Sequence, residues 1–130
     1  MATVTSFEEL EIWVKARVLT NNIYLLTKMP EFKSDFVLRI QMRKSAISIM
    51  SNIAEGFERS GNKEFIHFLF IAKGSAGELL SQLVIASDQK LISTIEFENL
   101  TRELKAQMLQ VGKLISYLKN SEFKGSRFKK

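Results

Sequence analysis

Helical periodicity over almost the whole chain is the feature that most constrains the fold. In four segments, apolar residues recur at intervals of three and four, which is the spacing that places them on one face of an α-helix. The single proline, Pro30, and six glycines among 130 residues leave few of the turns that hairpins between strands require. The sequence therefore predicts an all-α protein.

Breaks in this periodicity divide the chain into four predicted helices. They cover about 7–27, 35–58, 63–88 and 94–119. Because short connections place consecutive helices side by side, the pattern predicts an antiparallel up-and-down four-helix bundle over residues 1–120. Residues 121–130 form a basic tail that we expect to be flexible.

Capping residues support the starts of three of these helices. Ser6 with Glu9, and Ser93 with Glu96, have the spacing of capping boxes, in which each side chain of the pair accepts a hydrogen bond from an otherwise unpaired backbone N–H. Asn62 is the predicted N-cap of the third helix.

The second and third predicted helices carry more apolar surface than one core can use. On the second helix, one apolar face comprises Ile40, Ile47, Met50, Ala54 and Phe57, and another comprises Met42, Ala46, Ile49 and Ile53. A helix that is apolar around most of its circumference is buried on more than one side. A bundle of this size has no second core, so the additional face predicts self-association.

Residue content limits the chemistry that the chain could perform. There is no cysteine, which excludes disulfides, thiol nucleophiles and cysteine-ligated metals. The single histidine, His67, forms a Glu-x-x-His motif with Glu64, but a di-iron bundle needs that motif twice. No serine has a base at a suitable spacing. We therefore expect no catalytic residues, no metal site and no cofactor, and a protein that is not an enzyme.

The sequence also indicates a compartment. No uncharged run approaches the roughly 20 residues of a membrane span. The first residues, "MATVTSFEELEIW", lack the basic and apolar regions of a secretory signal. We expect a cytoplasmic protein with no membrane partner.

The net charge of +5 is unevenly distributed. From Lys119 onward there are five basic residues and one acidic residue, so the preceding 118 residues hold 14 basic and 13 acidic groups. The body is therefore close to neutral and the tail makes the protein basic. Such a tail is either a solvated terminus or an arm attracted to RNA.

Basic side chains on the second and third helices are the candidate nucleic-acid-binding residues. They are Arg39, Arg43, Lys44, Arg59, Lys63 and Lys73. A set of this kind is common on a solvated helix face. In a ring of subunits, however, the same charges would be repeated around an axis and would attract a phosphate backbone.

A stripe of polar residues runs along one side of the second predicted helix. Gln41, Ser45, Ser48, Asn52 and Glu55 recur at intervals of four and three. Because no histidine, cysteine or second carboxylate stands at matching spacing, we interpret the stripe as a means of aligning helices. We assign Gly56, Gly74, Ser75 and Gly77 to the same interfaces, since mid-helix glycine costs about 1 kcal/mol and is best explained by a second backbone close by.

Two quoted stretches carry a family resemblance. "QMRKSAISIMSNIAEGFER" and "EFIHFLFIAKGSAGELLSQL" resemble the four-helix-bundle family of proteins encoded in intervening sequences of bacterial 23S rRNA genes, over about residues 7–118. The resemblance implies a barrel-shaped homopentamer. The accessory variability determinant proteins of diversity-generating retroelements are similar. They act alongside a reverse transcriptase and bind nucleic acid through basic surfaces. By this similarity, Arg39, Arg43 and Lys44 are the leading candidates for nucleic-acid binding.

Two functional hypotheses follow. The first is a non-enzymatic, oligomeric four-helix bundle that acts as an accessory scaffold and binds nucleic acid, either RNA or DNA, or a ribonucleoprotein. The alternative is a protein–protein interaction module that never contacts nucleic acid, as the near-neutral body favours.

Overall fold

A computed structural model describes residues 4–121 of the protein. Within this range there are four α-helices and no strand: α1 (Glu11–Thr27), α2 (Phe36–Glu58), α3 (Asn62–Asp88) and α4 (Thr94–Lys119). Short 3₁₀ turns precede α1 and α2, at Phe7–Glu9 and Pro30–Ser34. The all-α prediction is confirmed. We predict a flexible tail over residues 121–130. All of it except Ser121 lies outside the described residues.

Contacts between helices establish the topology. Arg43 near the start of α2 bonds to Thr27 at the end of α1, and Ser48 and Ser75 meet across α2 and α3. Asn62 at the start of α3 reaches Leu118 at the end of α4. Each helix thus runs antiparallel to the next and α1 packs on α4, which is the predicted up-and-down bundle.

The core takes the whole of one apolar face predicted on α2, that of Met42, Ala46, Ile49 and Ile53, but only part of the other. Its buried apolar residues are Leu38, Met42, Ala46, Ile49, Ile53 and Phe57. Ile40 and Ile47, on the other predicted face, remain 37% and 42% exposed. Phe57 of that face is buried and Met50 packs against the core, so residues 4–121 leave only the Ile40–Ile47 part of the face uncovered.

The predicted capping box at Ser6 is wrong. Ser6 makes no side-chain cap, and the carboxylate of Glu9 instead accepts hydrogen bonds from the backbone N–H and hydroxyl of Thr5. Leu10 is buried in an extended conformation and α1 begins one residue later. Burial of Leu10 holds this residue in an extended conformation, so the helix starts after it. The Ser6–Glu9 motif does not reveal this. The box formed by Ser93 and Glu96 is confirmed.

Asn62 does not cap α3, contrary to the prediction. The N-cap is Gly61, whose φ of 90° favours glycine. The Asn62 side chain is buried and its Nδ2 donates to the carbonyl of Leu118 at 3.4 Å. The Asn62 side chain therefore makes a contact with α4 and not the local cap that the sequence predicts.

By length and composition alone, α3 could cross a membrane. About a third of its most apolar stretch is buried inside the bundle, and the core helix of a soluble protein meets the same test. Its composition is therefore weak evidence for a membrane span.

Candidate functional site

The polar stripe of α2 crosses the contact between α2 and α3. The hydroxyls of Ser48 and Ser75 share a hydrogen bond of 2.7 Å. Asn52 Nδ2 donates to the Ser48 carbonyl at 2.8 Å and to its hydroxyl at 3.0 Å. Ser45 is buried beside them, whereas Gln41 at one end of the stripe is exposed. This network fixes how α3 lies along α2.

The glycines assigned to helix contacts fall into two groups. A Cβ built at Gly56 would lie 2.8 Å from Phe68 Cβ and 3.3 Å from the backbone carbonyl of Phe65, so α3 approaches α2 closely at this point. Nothing in the described residues lies within 4 Å of a Cβ at Gly74 or Gly77. Close packing at those two positions is not found within residues 4–121.

Arg43 has a structural role between α1 and α2. Its Nε donates to the hydroxyl of Thr27 at 2.8 Å, and its guanidinium lies 4.4 Å from the ring centre of Tyr24. Thr27 is fully buried. Arg43 is therefore held in place by α1 and is not a freely exposed phosphate ligand.

The charge of Arg59 is compensated. Its guanidinium bonds to Glu55 at 2.7 Å, lies 3.9 Å from Glu64 and covers the ring of Phe68. Glu55, the last member of the polar stripe, thus forms an ion pair with the residue four positions later. Two carboxylates beside this arginine lower its attraction for a phosphate.

The six predicted basic residues do not form one patch. Arg39, over the ring of Phe36, and the exposed Lys44 lie on the first half of α2. Arg59, the residue after α2, lies about 22 Å beyond Lys44 and about 30 Å beyond Arg39 at 1.5 Å per residue. The exposed Lys63 is the second residue of α3. The six residues therefore do not lie together. The pair near the start of α2 is far from the pair at its end.

Lys73 instead lines a groove between α3 and α4, which we call the α3–α4 groove. It has a volume of about 600 Å³ and is lined by Lys73, Lys105, Met108, Leu109, Gly112, Lys113 and Ser116. Lys73 Nζ would be 4.0 Å from a Cβ at Gly112. Among the ion pairs of residues 4–121, none involves the groove lysines.

The basic surface continues beyond the groove toward the end of α4. Lys119 Nζ lies 5.1 Å from the ring centre of Phe70, whose ring is partly exposed. Lys105 and Lys113 are not among the residues predicted from the sequence. Their spacing of eight residues around an apolar Leu109 places them on one face of α4, a signal that could have found them.

The described residues hold no cluster of three or more His, Cys, Asp or Glu side chains that could bind a metal ion. His67 is exposed and packs edge-on against the ring of Phe68. What the geometry offers is a polar helix contact and a lysine-lined groove, and these features are suited to binding and assembly.

Fold and site thus define an all-α four-helix-bundle protein. The family model described as 23S rRNA-intervening sequence protein matches residues 8–124. The chain therefore belongs to that family.

Among solved structures, the chain is similar to a protein of unknown function from the S23 ribosomal protein family of Bacteroides thetaiotaomicron. The TM-score is 0.75 and the identity 22%, over 80% of this chain and 97% of that one. This likeness supports the fold alone. A search of curated proteins finds no match.

Proposed function

We propose that this protein is a non-enzymatic scaffold that assembles with copies of itself and binds nucleic acid or a ribonucleoprotein. The observation that carries the binding part is the α3–α4 groove, where Lys73, Lys105 and Lys113 lie together without carboxylate partners among the described residues. Like charges held together attract a polyanion, because neutralising phosphates releases their counterions.

The near-neutral charge of residues 1–118 does not conflict with this proposal. No acidic residue lines the α3–α4 groove. Elsewhere, Glu55 and Glu64 pair with Arg59, Glu11 pairs with Lys15, and Glu103 accepts from Asn22. Segregated charge creates a local positive potential on a molecule whose total charge is small. The α3–α4 groove, with three lysines in its lining, is one such location, and Arg39 and Lys44 form a second, separate one.

Assembly is supported by apolar side chains that the bundle leaves exposed. Ile40 and Ile47 on α2, and Ile71 and Ile85 on α3, each show more than a third of their surface. Apolar side chains that recur at helical spacing on an exposed face are suited to protein–protein contacts. The pentamer implied by the family resemblance would repeat the α3–α4 groove five times around an axis.

The proposal is tested by binding of a fluorescein-labelled RNA hairpin, followed by anisotropy over a salt series. We expect the affinity of the wild type to fall steeply with salt. The double variant Lys73→Glu/Lys113→Glu should bind at least about tenfold more weakly, with a salt slope lower by about 1 for each lysine lost.

Two further double variants make the test specific. Arg17→Glu/Lys33→Glu removes the same charge from exposed positions on α1 and the turn before α2, and should retain most of the binding. Arg39→Glu/Lys44→Glu tests the position that the sequence predicts. If the wild type binds and the groove variant binds equally well, the groove has no part in binding. Absence of wild-type binding even at low salt would instead favour the protein-interaction module.

A further inference from the structure

The α3–α4 groove combines charge with an apolar floor. Lysines form its rim, whereas Met108, Leu109 and Gly112 lie between them. Leu109 is 61% exposed, and the missing side chain of Gly112 leaves the space that Lys73 borders. A surface that only attracted phosphates would have no use for exposed apolar residues at its centre, so the occupant should have an apolar face as well as negative charge.

Duplex and single-stranded nucleic acids differ in this respect. A duplex presents phosphates and sugars on its outside and keeps the faces of its bases stacked within. An unpaired nucleotide exposes the face of its base, which packs on apolar or aromatic side chains while neighbouring phosphates meet basic groups. The groove volume of about 600 Å³ is suited to a small unpaired segment.

The dimensions of the rim agree with such a segment. Lys105 and Lys113 are eight residues apart on α4, which is about 12 Å along the helix axis, and Lys73 lies opposite, beside Gly112. Farther along the same side, Phe70 offers a partly exposed ring that is now covered by the ammonium of Lys119. A base stacked on Phe70 would replace that contact.

We propose that the α3–α4 groove binds single-stranded nucleic acid, with an unpaired base on the floor formed by Met108, Leu109 and Gly112 and with phosphates on the lysines of the rim. This inference rests on the proposed function and narrows its ligand from nucleic acid in general to unpaired segments.

The decisive variant is Gly112→Leu, which fills the floor and leaves every lysine in place. Among the described residues, only the flexible end of Lys73 lies within 4.0 Å of the Cβ that this variant adds, and leucine is a good helix former, so we expect the variant to fold. Gly112→Ala is the matched control, since a single methyl group occupies little of the groove.

The probes are a fluorescein-labelled single-stranded RNA and a blunt duplex that contains the same strand, measured by anisotropy at one salt concentration. We expect the wild type and Gly112→Ala to bind the single strand about tenfold more tightly than the duplex, the scale of one base stacked on the protein. Gly112→Leu should lose about tenfold for the single strand and should bind the duplex as the wild type does.

The outcomes separate this inference from the function on which it rests. If the wild type binds both probes equally, or if Gly112→Leu binds the single strand as tightly as Gly112→Ala, the groove does not accept an unpaired base, while the scaffold function stands. If the wild type binds neither probe, the proposed function itself is overturned, and this inference with it.

Discussion

Gly56 is the residue at which side-chain size should matter most directly. Glycine to alanine within a helix ordinarily stabilises a protein by about 1 kcal/mol. At Gly56 the added methyl group would lie 2.8 Å from Phe68 Cβ, and overpacking of this kind costs about 1–3 kcal/mol. Because the gain offsets part of this cost, we expect Gly56→Ala to lower the free energy of unfolding by up to about 2 kcal/mol, measured by urea denaturation followed by circular dichroism.

Gly112→Ala provides the comparison for Gly56, because its new methyl group would meet only the end of Lys73. We expect it to raise the free energy of unfolding by about 0.5–1 kcal/mol. An equal gain at Gly56 would show that α3 can move away from α2 without cost, and that the close approach is not required.

Arg43 and Arg59 show what helical periodicity cannot predict for a single residue. Periodicity places a residue on a helix face, but it does not show what lies opposite that face. The partners of Arg43 are Tyr24 and Thr27, on another helix, and Arg59 meets Glu64 across a turn. Charge alone predicts both arginines as nucleic-acid ligands. The partners of Arg43 cannot be read from that pattern, whereas the i,i+4 spacing of Glu55 and Arg59 does indicate their ion pair.

The α2–α3 pair is the element whose alignment depends on a specific hydrogen bond. Ser48→Ala and Ser75→Ala each remove one hydroxyl from the 2.7 Å contact. We expect each to cost about 1 kcal/mol. In the double variant the losses should not add, and the coupling should be about 0.5–1 kcal/mol, obtained from urea denaturation of all four proteins.

A second cycle checks that this coupling is specific. Ser34 is exposed in the turn before α2, and its hydroxyl donates to the carbonyl of Glu31. Ser34→Ala and Ser75→Ala share no contact, so their effects should add within about 0.3–0.5 kcal/mol. Additivity in the Ser48–Ser75 cycle as well would mean that the polar stripe does not align the two helices.

Element bounds are predictable from sequence wherever local chemistry decides them. The start of α4 follows from the Ser93–Glu96 capping box, which forms as expected. The start of α1 does not follow from its local motif, because burial of Leu10 decides it. The α3–α4 groove is hidden from the sequence for the same kind of reason, since Lys73 and Lys113 come together only after two helices have packed.

At the scale of the whole molecule, the unpartnered apolar surface predicts assembly, and its position predicts which substitutions prevent it. Ile71 is 39% exposed on α3. Gly74 lies one turn later, and no atom of the described residues would come within 4 Å of a Cβ added there. A second copy that packs on this face would bury Ile71 and explain an otherwise costly mid-helix glycine.

We therefore expect the wild type, at micromolar concentration, to scatter light with about five times the 14.9 kDa mass of one chain, as the family resemblance implies. Ile71→Glu should reduce that mass toward 14.9 kDa with unchanged helical circular dichroism, because a charge placed in an apolar contact is costly. Val18→Glu, at a comparably exposed position on α1, should leave the assembly intact. Dissociation by Val18→Glu alone would place the contact on α1, whereas a monomeric wild type would contradict self-association altogether.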